Sequence, residues 1–261
     1  MIDEVSLMVP RHAFSPRHVV RAGEVWRLLQ IAAVESSTRR GWSPERYQAE
    51  GTGFIVSRMT VRHHRQLISG EAPLARTWVR DFRRGIISRR EIRLCVAEEE
   101  VAATTQQWVH ISSTAMKPTR AGAAMLAAFA PHDTGSAMIE FPAVTECTGL
   151  EWSMRFPCWH SWMDVLGHVN HPTYIDWCDE AIMRRIASLG EEPQKMIPVA
   201  EEFRFRRAVL AGEMVTVRSR LVGTTAARDA VIEHSITTPE TAAIATTVRR
   251  LSGGDLVALL A

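Results

Sequence analysis

From about Arg11 to Ser112, and again from about Glu151 to Ser252, the sequence passes through the same order of local signals. Such a repeat decides architecture before local detail does, because each copy must be a unit that buries its apolar face against its own elements or its twin. The first copy opens on a short strand-like stretch and enters a predicted helix, Gly23 to Arg40, whose Val25, Leu28, Leu29, Ala32 and Ala33 share one face. Gly41, comfortable at positive φ, stops it. Strand-like runs follow over Gly53 to Val61, Ala72 to Asp81, Ile86 to Cys95 and Ala103 to Ser113, with Leu67-Ile68-Ser69-Gly70-Glu71 as a turn between the first two.

The second copy offers a strand over Trp152 to Trp159, a helix from about Asn170 to Leu189 ended by Gly190, and strands around Ala200 to Arg207, Glu213 to Val222, Ala230 to Thr237 and Ala242 to Leu251. Its turn Val209-Leu210-Ala211-Gly212-Glu213 repeats Leu67 to Glu71 nearly residue for residue. Each copy reads as one long helix followed by antiparallel-type strands, an α+β unit with its sheet wrapped about the helix. Two such units pairing edge to edge make an intramolecular pseudo-dimer of approximate twofold symmetry. The expected division is an N-terminal unit over 1–120, a connection over 121–147 and a C-terminal unit over 148–261, with a surface helix in Ala121 to Ala130.

Composition serves mainly to exclude. A length of 261 residues suits two domains of average size, and 46% apolar with 23% charged residues supports a packed core. A net charge of +2 argues against a broad basic surface for nucleic acid. All cations but Lys117 and Lys195 are arginines, for which coding bias is the plain explanation. Arg204, Arg206 and Arg207 have the chemistry to attract an acidic carrier or phosphates, though alternating arginines on strands more often form a solvated face. Cys95, Cys147, Cys158 and Cys178 are widely spaced, and His63-His64 has no carboxylate or thiol at ligand spacing, so reduced thiols and no metal are expected. Met1 to Pro10 has no signal-peptide pattern and no stretch reaches the roughly 20 apolar residues of a membrane span, so a cytoplasmic location is expected.

The most informative stretch runs from Trp162 to Trp177: Trp162-Met163-Asp164-Val165-Leu166-Gly167-His168-Val169-Asn170-His171-Pro172-Thr173-Tyr174-Ile175-Asp176-Trp177. It sets an acid in the turn before a helix, then a glycine where backbone can approach a ligand, then helical N–H groups able to polarise a carbonyl and hold an oxyanion. Asp164 would activate water or attack directly, His168 would orient the acid or the substrate, and Asn170 would cap the helix. Singly, each is more often structural, an Asp before a helix being commonly a cap. Their conjunction inside a repeated unit favours chemistry.

This stretch resembles the D-x-L-G-H-V-N-x-x-x-Y-x-x-W signature of hotdog thioesterases of the 4-hydroxybenzoyl-CoA and acyl-acyl-carrier-protein (acyl-ACP) types. In the first copy, Leu28 to Ala33, Arg40-Gly41-Trp42-Ser43, Phe54 to Val61, Gly70-Glu71, Arg76 to Val79 and Gln107-Trp108-Val109 look like the N-terminal half of acyl-ACP thioesterases. The resemblance implies two tandem hotdog folds and hydrolysis of acyl-ACP or acyl-CoA to a free acid and a carrier thiol, with fatty-acid metabolism as the setting. It implies Asp164, His168 and Asn170 as catalytic residues, Gly167, Val169, His171 and Tyr174 against the substrate, and no cofactor. The first copy, with Val20-Arg21-Ala22-Gly23-Glu24 at its helix start, has no Asp-x-x-Gly-His, which implies one working site per chain.

Two departures matter. Plant-type acyl-ACP thioesterases carry an Asn where Leu166 stands, and an acid on the strand after the helix where Ala208 aligns, with Glu201 or Glu202 the nearest acids if that alignment slips. A degenerate hotdog that binds acyl chains or a carrier is therefore the alternative. Enoyl-thioester hydration is the weaker one, since the Asp-to-His interval is short and no Asn-Pro precedes His168. A further homodimer of the pseudo-dimer stays open, as do fatty, β-keto or aromatic acyl groups.

Overall fold

In a computed structural model, which describes residues 1–132 and 134–261, the first copy comprises β1 (Asp3–Ser6), α1 (Ala22–Arg39), α2 (Pro44–Ala49), β2 (Thr52–His63), β3 (Leu74–Arg83), β4 (Ile87–Val96), β5 (Glu99–Ser112) and β6 (Lys117–Pro118). The connection holds α3 (Ala123–Ala128) and β7 (Thr145–Glu146). The second copy comprises β8 (Glu151–Pro157), α4 (Thr173–Ser188), β9 (Met196–Phe205), β10 (Met214–Thr224), β11 (Ala230–Thr237) and β12 (Thr241–Leu251), followed by α5 (Leu256–Leu260).

The strands form one 12-stranded sheet in which β1-β3-β4-β5-β2 meets β9-β12-β11-β10, with β8 on the outer side of β10. Read from the β2/β9 seam outwards, the two halves carry matching strands in the same order. The seam is antiparallel, with Arg58 opposite Arg204, Thr60 opposite Glu202 and Arg62 opposite Ala200. Pairing β2 with β9 leaves neither strand as an open edge. The tandem hotdog expectation is met: α1 lies within one residue of the expected bounds at each end, and α4 ends within one residue of the expected Leu189 but starts three residues after Asn170.

The helices are buried because their apolar stripes face the concave side of the sheet. Val25, Trp26, Leu28, Leu29, Ala32 and Ala33 of α1 share one core with Tyr174, Ile175, Trp177, Cys178 and Ala181 of α4. That common core needs a close approach of the helix starts. A Cβ added at Gly23 would lie 1.8 Å from Asp176 Oδ1, and Arg27 donates to Asp176 Oδ2 at 2.5 Å across the same contact.

The outer face of the first half is covered too. Met125 and Phe129 of the α3 region pack with Trp42 and Val79, so the helix expected on the surface buries an apolar face of its own. Beyond it the chain is strapped to the sheet: His132 N–H donates to Val79 O at 2.8 Å, and Arg80 to Ser136 O at 2.7 Å. Phe141 then packs against Ala200, Val231 and Val248 of the second half.

Candidate active site

Met163 to Asn170 form a tight loop ahead of α4. Asp164 N–H donates to His168 O at 2.8 Å and Gly167 N–H to Asp164 O at 3.0 Å, which closes the turn. Gly167 sits at φ +76, and a Cβ there would meet nothing, so the backbone conformation and not crowding selects glycine. Val169 N–H donates to Val209 O and Asn170 N–H to Trp162 O, each at 2.9 Å.

Asp164 does not cap the helix. Its Oδ1 accepts the Leu166 N–H at 2.8 Å, an Asx turn within the loop, while Oδ2 lies 3.5 Å from His168 Nδ1. One oxygen is thus fixed and the other, outside ideal hydrogen-bond distance, is free for a reacting partner. Both side chains are partly buried, and Val165 beside them is 93% exposed, so the loop crest is open to solvent.

Asn170, expected as a cap, is not one. The helix begins at Thr173, its N-cap is Pro172, and no side chain caps it. The Asn170 carboxamide instead faces Gln30 of the first unit: Oδ1 accepts from Gln30 Nε2 at 2.8 Å and Nδ2 donates to Gln30 Oε1 at 3.1 Å. The N–H groups of Val169 and Asn170 are engaged, whereas that of His168, following Gly167, has no backbone acceptor among the described residues.

The substrate-side residues divide. Val169 and Tyr174 are buried, Tyr174 packing on Trp177 and Phe205 at ring distances of 4.9 and 5.3 Å. Burial pushes its phenol well up, so it stays neutral. His171 lies among Trp26, Trp108 and Phe205 at 6.3, 6.0 and 6.2 Å. Burial, with His168 and Arg27 nearby, holds the imidazole down to about 3, and its buried Nε2 has no hydrogen-bond partner among the described residues. An unmade bond of that kind costs about 1–3 kcal/mol, so a ligand able to donate to a neutral imidazole, or accept from it, would gain there.

The strand acids are committed elsewhere. Glu201 is buried and accepts from Arg249 at 2.6 Å, His63 Nε2 lies at 2.8 Å, and Trp26 Nε1 donates to it at 3.3 Å. Burial would raise its carboxyl, but His63 and Arg249 win and bring it to about 2. Asp179, also held by Arg249 at 2.7 Å, is driven by burial to about 6 despite that partner. Glu202 pairs with Arg58 and Arg204 on the outer face. Ala208 is exposed and supplies no acid, so Asp164 is the carboxylate of this loop.

The first copy holds a loop that sequence comparison set a few residues too late. Ser15 N–H donates to Val19 O at 2.8 Å, His18 N–H to Ser15 O at 2.9 Å, Val20 N–H to Leu67 O at 2.8 Å and Arg21 N–H to Ala13 O at 3.2 Å. Those bonds match the Asp164 to Asn170 loop one for one, so Ser15, His18, Val19 and Arg21 stand where Asp164, Gly167, His168 and Asn170 stand, and the counterpart of Asp-x-x-Gly-His is Ser15 to Val19 and not a stretch beginning at Val20. His18 even keeps the positive φ, at 58°. The loop conformation occurs twice and the Asp-His side-chain pair once among the described residues.

Two abutting units, each a helix wrapped by half of one sheet, with an Asp-His loop at their junction, define a double hotdog. Residues 158–254, nearly the whole second unit, match the family model of the thioesterase-like superfamily, in line with the motif. By sequence alone no curated protein matches significantly. Among solved structures, a protein designated an oleoyl thioesterase from Lactobacillus plantarum superposes with a TM-score of 0.81 at 16% identity, over 97% of this chain and 98% of its own. The 12:0-ACP thioesterase of Umbellularia californica gives 0.73 at 14% identity, over 96% and 94%. An acyl-ACP thioesterase of Bacteroides thetaiotaomicron gives 0.72 at 15%, over 95% and 98%. At these identities the likeness fixes the double-hotdog fold over the full length. No helix among the described residues is long and apolar enough to cross a membrane.

Proposed function

We propose that this protein hydrolyses acyl thioesters carried on ACP or CoA, with Asp164 as general base or nucleophile. The observation that carries this reading is the division of labour within one carboxylate. Oδ1 is anchored by the Leu166 N–H at 2.8 Å, leaving Oδ2 beside His168. As general base, Asp164 takes a proton from water while the hydroxide adds to the thioester carbon. The tetrahedral intermediate then expels the thiolate, which recovers that proton. As nucleophile, Asp164 displaces the thiolate itself and water cleaves the resulting anhydride. The His168 N–H is the donor in place for the oxyanion.

His168 orients the carboxylate, and Gly167 gives the turn its geometry. Val169, His171 and Tyr174 belong to the wall of the site, His171 offering a buried Nε2 that has no hydrogen-bond partner among the described residues. Apolar Trp159, Val165, Leu166 and Leu210 on and beside the loop are 58%, 93%, 38% and 48% exposed, a surface suited to an acyl chain or to the carrier that delivers it. Acyl-ACP is favoured because the three full-length structural relatives named above include two acyl-ACP thioesterases. The test is release of free thiol from panels of acyl-ACP and acyl-CoA, with Asp164→Ala alongside. Turnover lost in a folded Asp164→Ala protein supports the reading; turnover that survives removes Asp164 from the mechanism. A protein that binds acyl chains without turning them over would mark a degenerate hotdog.

A further inference from the structure

We infer that the first unit takes part in the reaction through Gln30, a positioning residue that sets the orientation of the Asn170 carboxamide. This rests on the thioesterase reading and adds to it a role for the unit that carries no reactive loop. The two amides form a closed pair, Gln30 Nε2 to Asn170 Oδ1 at 2.8 Å and Asn170 Nδ2 to Gln30 Oε1 at 3.1 Å. In such a ring neither amide can flip alone, since a flip would set two donors or two acceptors face to face. Gln30 thereby decides which Asn170 atoms are left for the substrate: the second Nδ2 hydrogen and the second Oδ1 lone pair.

The arrangement is one-sided. Gln30 of α1 and Asp179 of α4 occupy the same position in the two helices, as Arg27 and Asp176 do, and Arg27 and Asp176 pair with each other at 2.5 Å. Asp179 does not return the favour to the first loop. It is taken by Arg249 at 2.7 Å, while Arg21, at the Asn170 position, donates to the His12 carbonyl. One loop is therefore completed across the unit boundary and the other is closed on its own side. The same helix position became a support for the working site in one copy and part of a buried ion pair in the other.

The experiment compares wild type, Gln30→Leu, Gln30→Glu, Asn170→Ala and the Gln30→Leu/Asn170→Ala double variant in steady-state thiol release, with thermal unfolding run on each. Gln30→Leu is expected to lower kcat roughly 10- to 100-fold, the scale of a small misplacement in a reacting geometry, with KM within about twofold. The double variant is expected to match Asn170→Ala. Gln30→Glu carries the sharper signature. As a carboxylate it lacks the donor for Asn170 Oδ1, and as a carboxylic acid it restores both halves of the pair. Its rate relative to wild type should therefore climb as pH falls from about 8 to about 5, which a packing role would not produce. A Gln30→Leu enzyme at wild-type kcat, equal losses in the presence and absence of Asn170, or a pH-independent Gln30→Glu ratio would each overturn the inference while leaving Asp164 chemistry intact. If wild type releases no thiol from any substrate, the thioesterase reading and this inference fall together. If Gln30→Leu does not fold, the Gln30→Glu profile decides.

Discussion

Ser15 to Arg21 and Asp164 to Asn170 are the same loop built twice. Four corresponding backbone hydrogen bonds hold each, both place a residue at positive φ, and each is followed by a buried helix. What differs is which side chains hang from that frame. Ser15, Val19 and Arg21 have neither a carboxylate nor an imidazole at the positions of Asp164 and His168. The lesson is that the frame belongs to the fold, since it is the same whether or not an Asp-His pair hangs from it, and that the proposed reactivity is carried by a handful of side chains and not by the loop conformation.

The hardest test of that contrast is removal of the carboxylate. Asp164→Ala should lower thiol release by about 10²- to 10⁴-fold, the usual worth of a positioned acid or base, while Ser15→Ala should leave it unchanged. Equal losses from both would mean that two sites work. The pair is read by steady-state rates, with circular dichroism to confirm that both variants fold.

A second contrast lies under the helices. Met59 of β2 and Glu201 of β9 occupy matching positions, and the first unit buries a thioether where the second buries a carboxylate held by Arg249, His63 and Trp26. Removing one member of a buried ion network leaves its partners uncompensated, at about 3–5 kcal/mol. Arg249→Met should lose that much in urea unfolding, and adding Glu201→Gln and Asp179→Asn should recover part of it, because the stranded charges go too. Met59→Leu, a volume-conserving change in the other unit, should cost less than about 1.5 kcal/mol. If Arg249→Met costs no more than Met59→Leu, the network is not holding the second unit together.

Protonation separates the halves next. His171 is held down to about 3 by burial and by nearby His168 and Arg27, against an ordinary 6.5. The unfolded chain therefore binds a proton there below pH 6.5 that the folded chain refuses. Stability from this group is complete above that value and declines by about 1.4 kcal/mol per pH unit on acidification towards 3. His171→Phe, matched to its aromatic surroundings, should flatten the fall in stability between those limits. The group at the same position in the first copy is Ala22, which has no proton to exchange. Parallel slopes for wild type and His171→Phe in denaturant unfolding across acid pH would refute the assignment.

Much of this was legible in the residues alone, for physical reasons. Apolar spacing in Val25 to Ala33 and the stops at Gly41 and Gly190 located both helices, because burial on one face and left-handed caps leave marks in composition. The repeated Gly70-Glu71 and Gly212-Glu213 turns gave the twofold relation, since each glycine adopts positive φ and each glutamate binds the N–H three residues before it. Asp164 and His168 were found as a pair because they lie within one loop. Gln30 was not, being 140 residues from Asn170, a separation over which a single sequence carries no spacing rule. The first loop was misplaced because it was sought by its chemistry, which is gone, and not by the Phe14 to Val20 and Met163 to Val169 interval, which is kept.

The smallest effect probes the frame itself. Gly167 and His18 share a left-handed backbone at φ +76 and 58, and a non-glycine residue there pays about 1–2 kcal/mol in steric strain. His18→Gly removes that strain but loosens the unfolded chain by about 0.5–1 kcal/mol, so its stability should move by less than about 1 kcal/mol, towards greater stability. Gly167→Ala gains the strain and stiffens the unfolded chain in return, so its net cost should be equally small, yet its rate should fall, because the same turn sets Asp164 against His168. Opposite small shifts in unfolding free energy, with a change of rate in only the second variant, would show that the two loops share a conformation and divide the work. A rate change from His18→Gly would instead place the first loop in contact with the reaction.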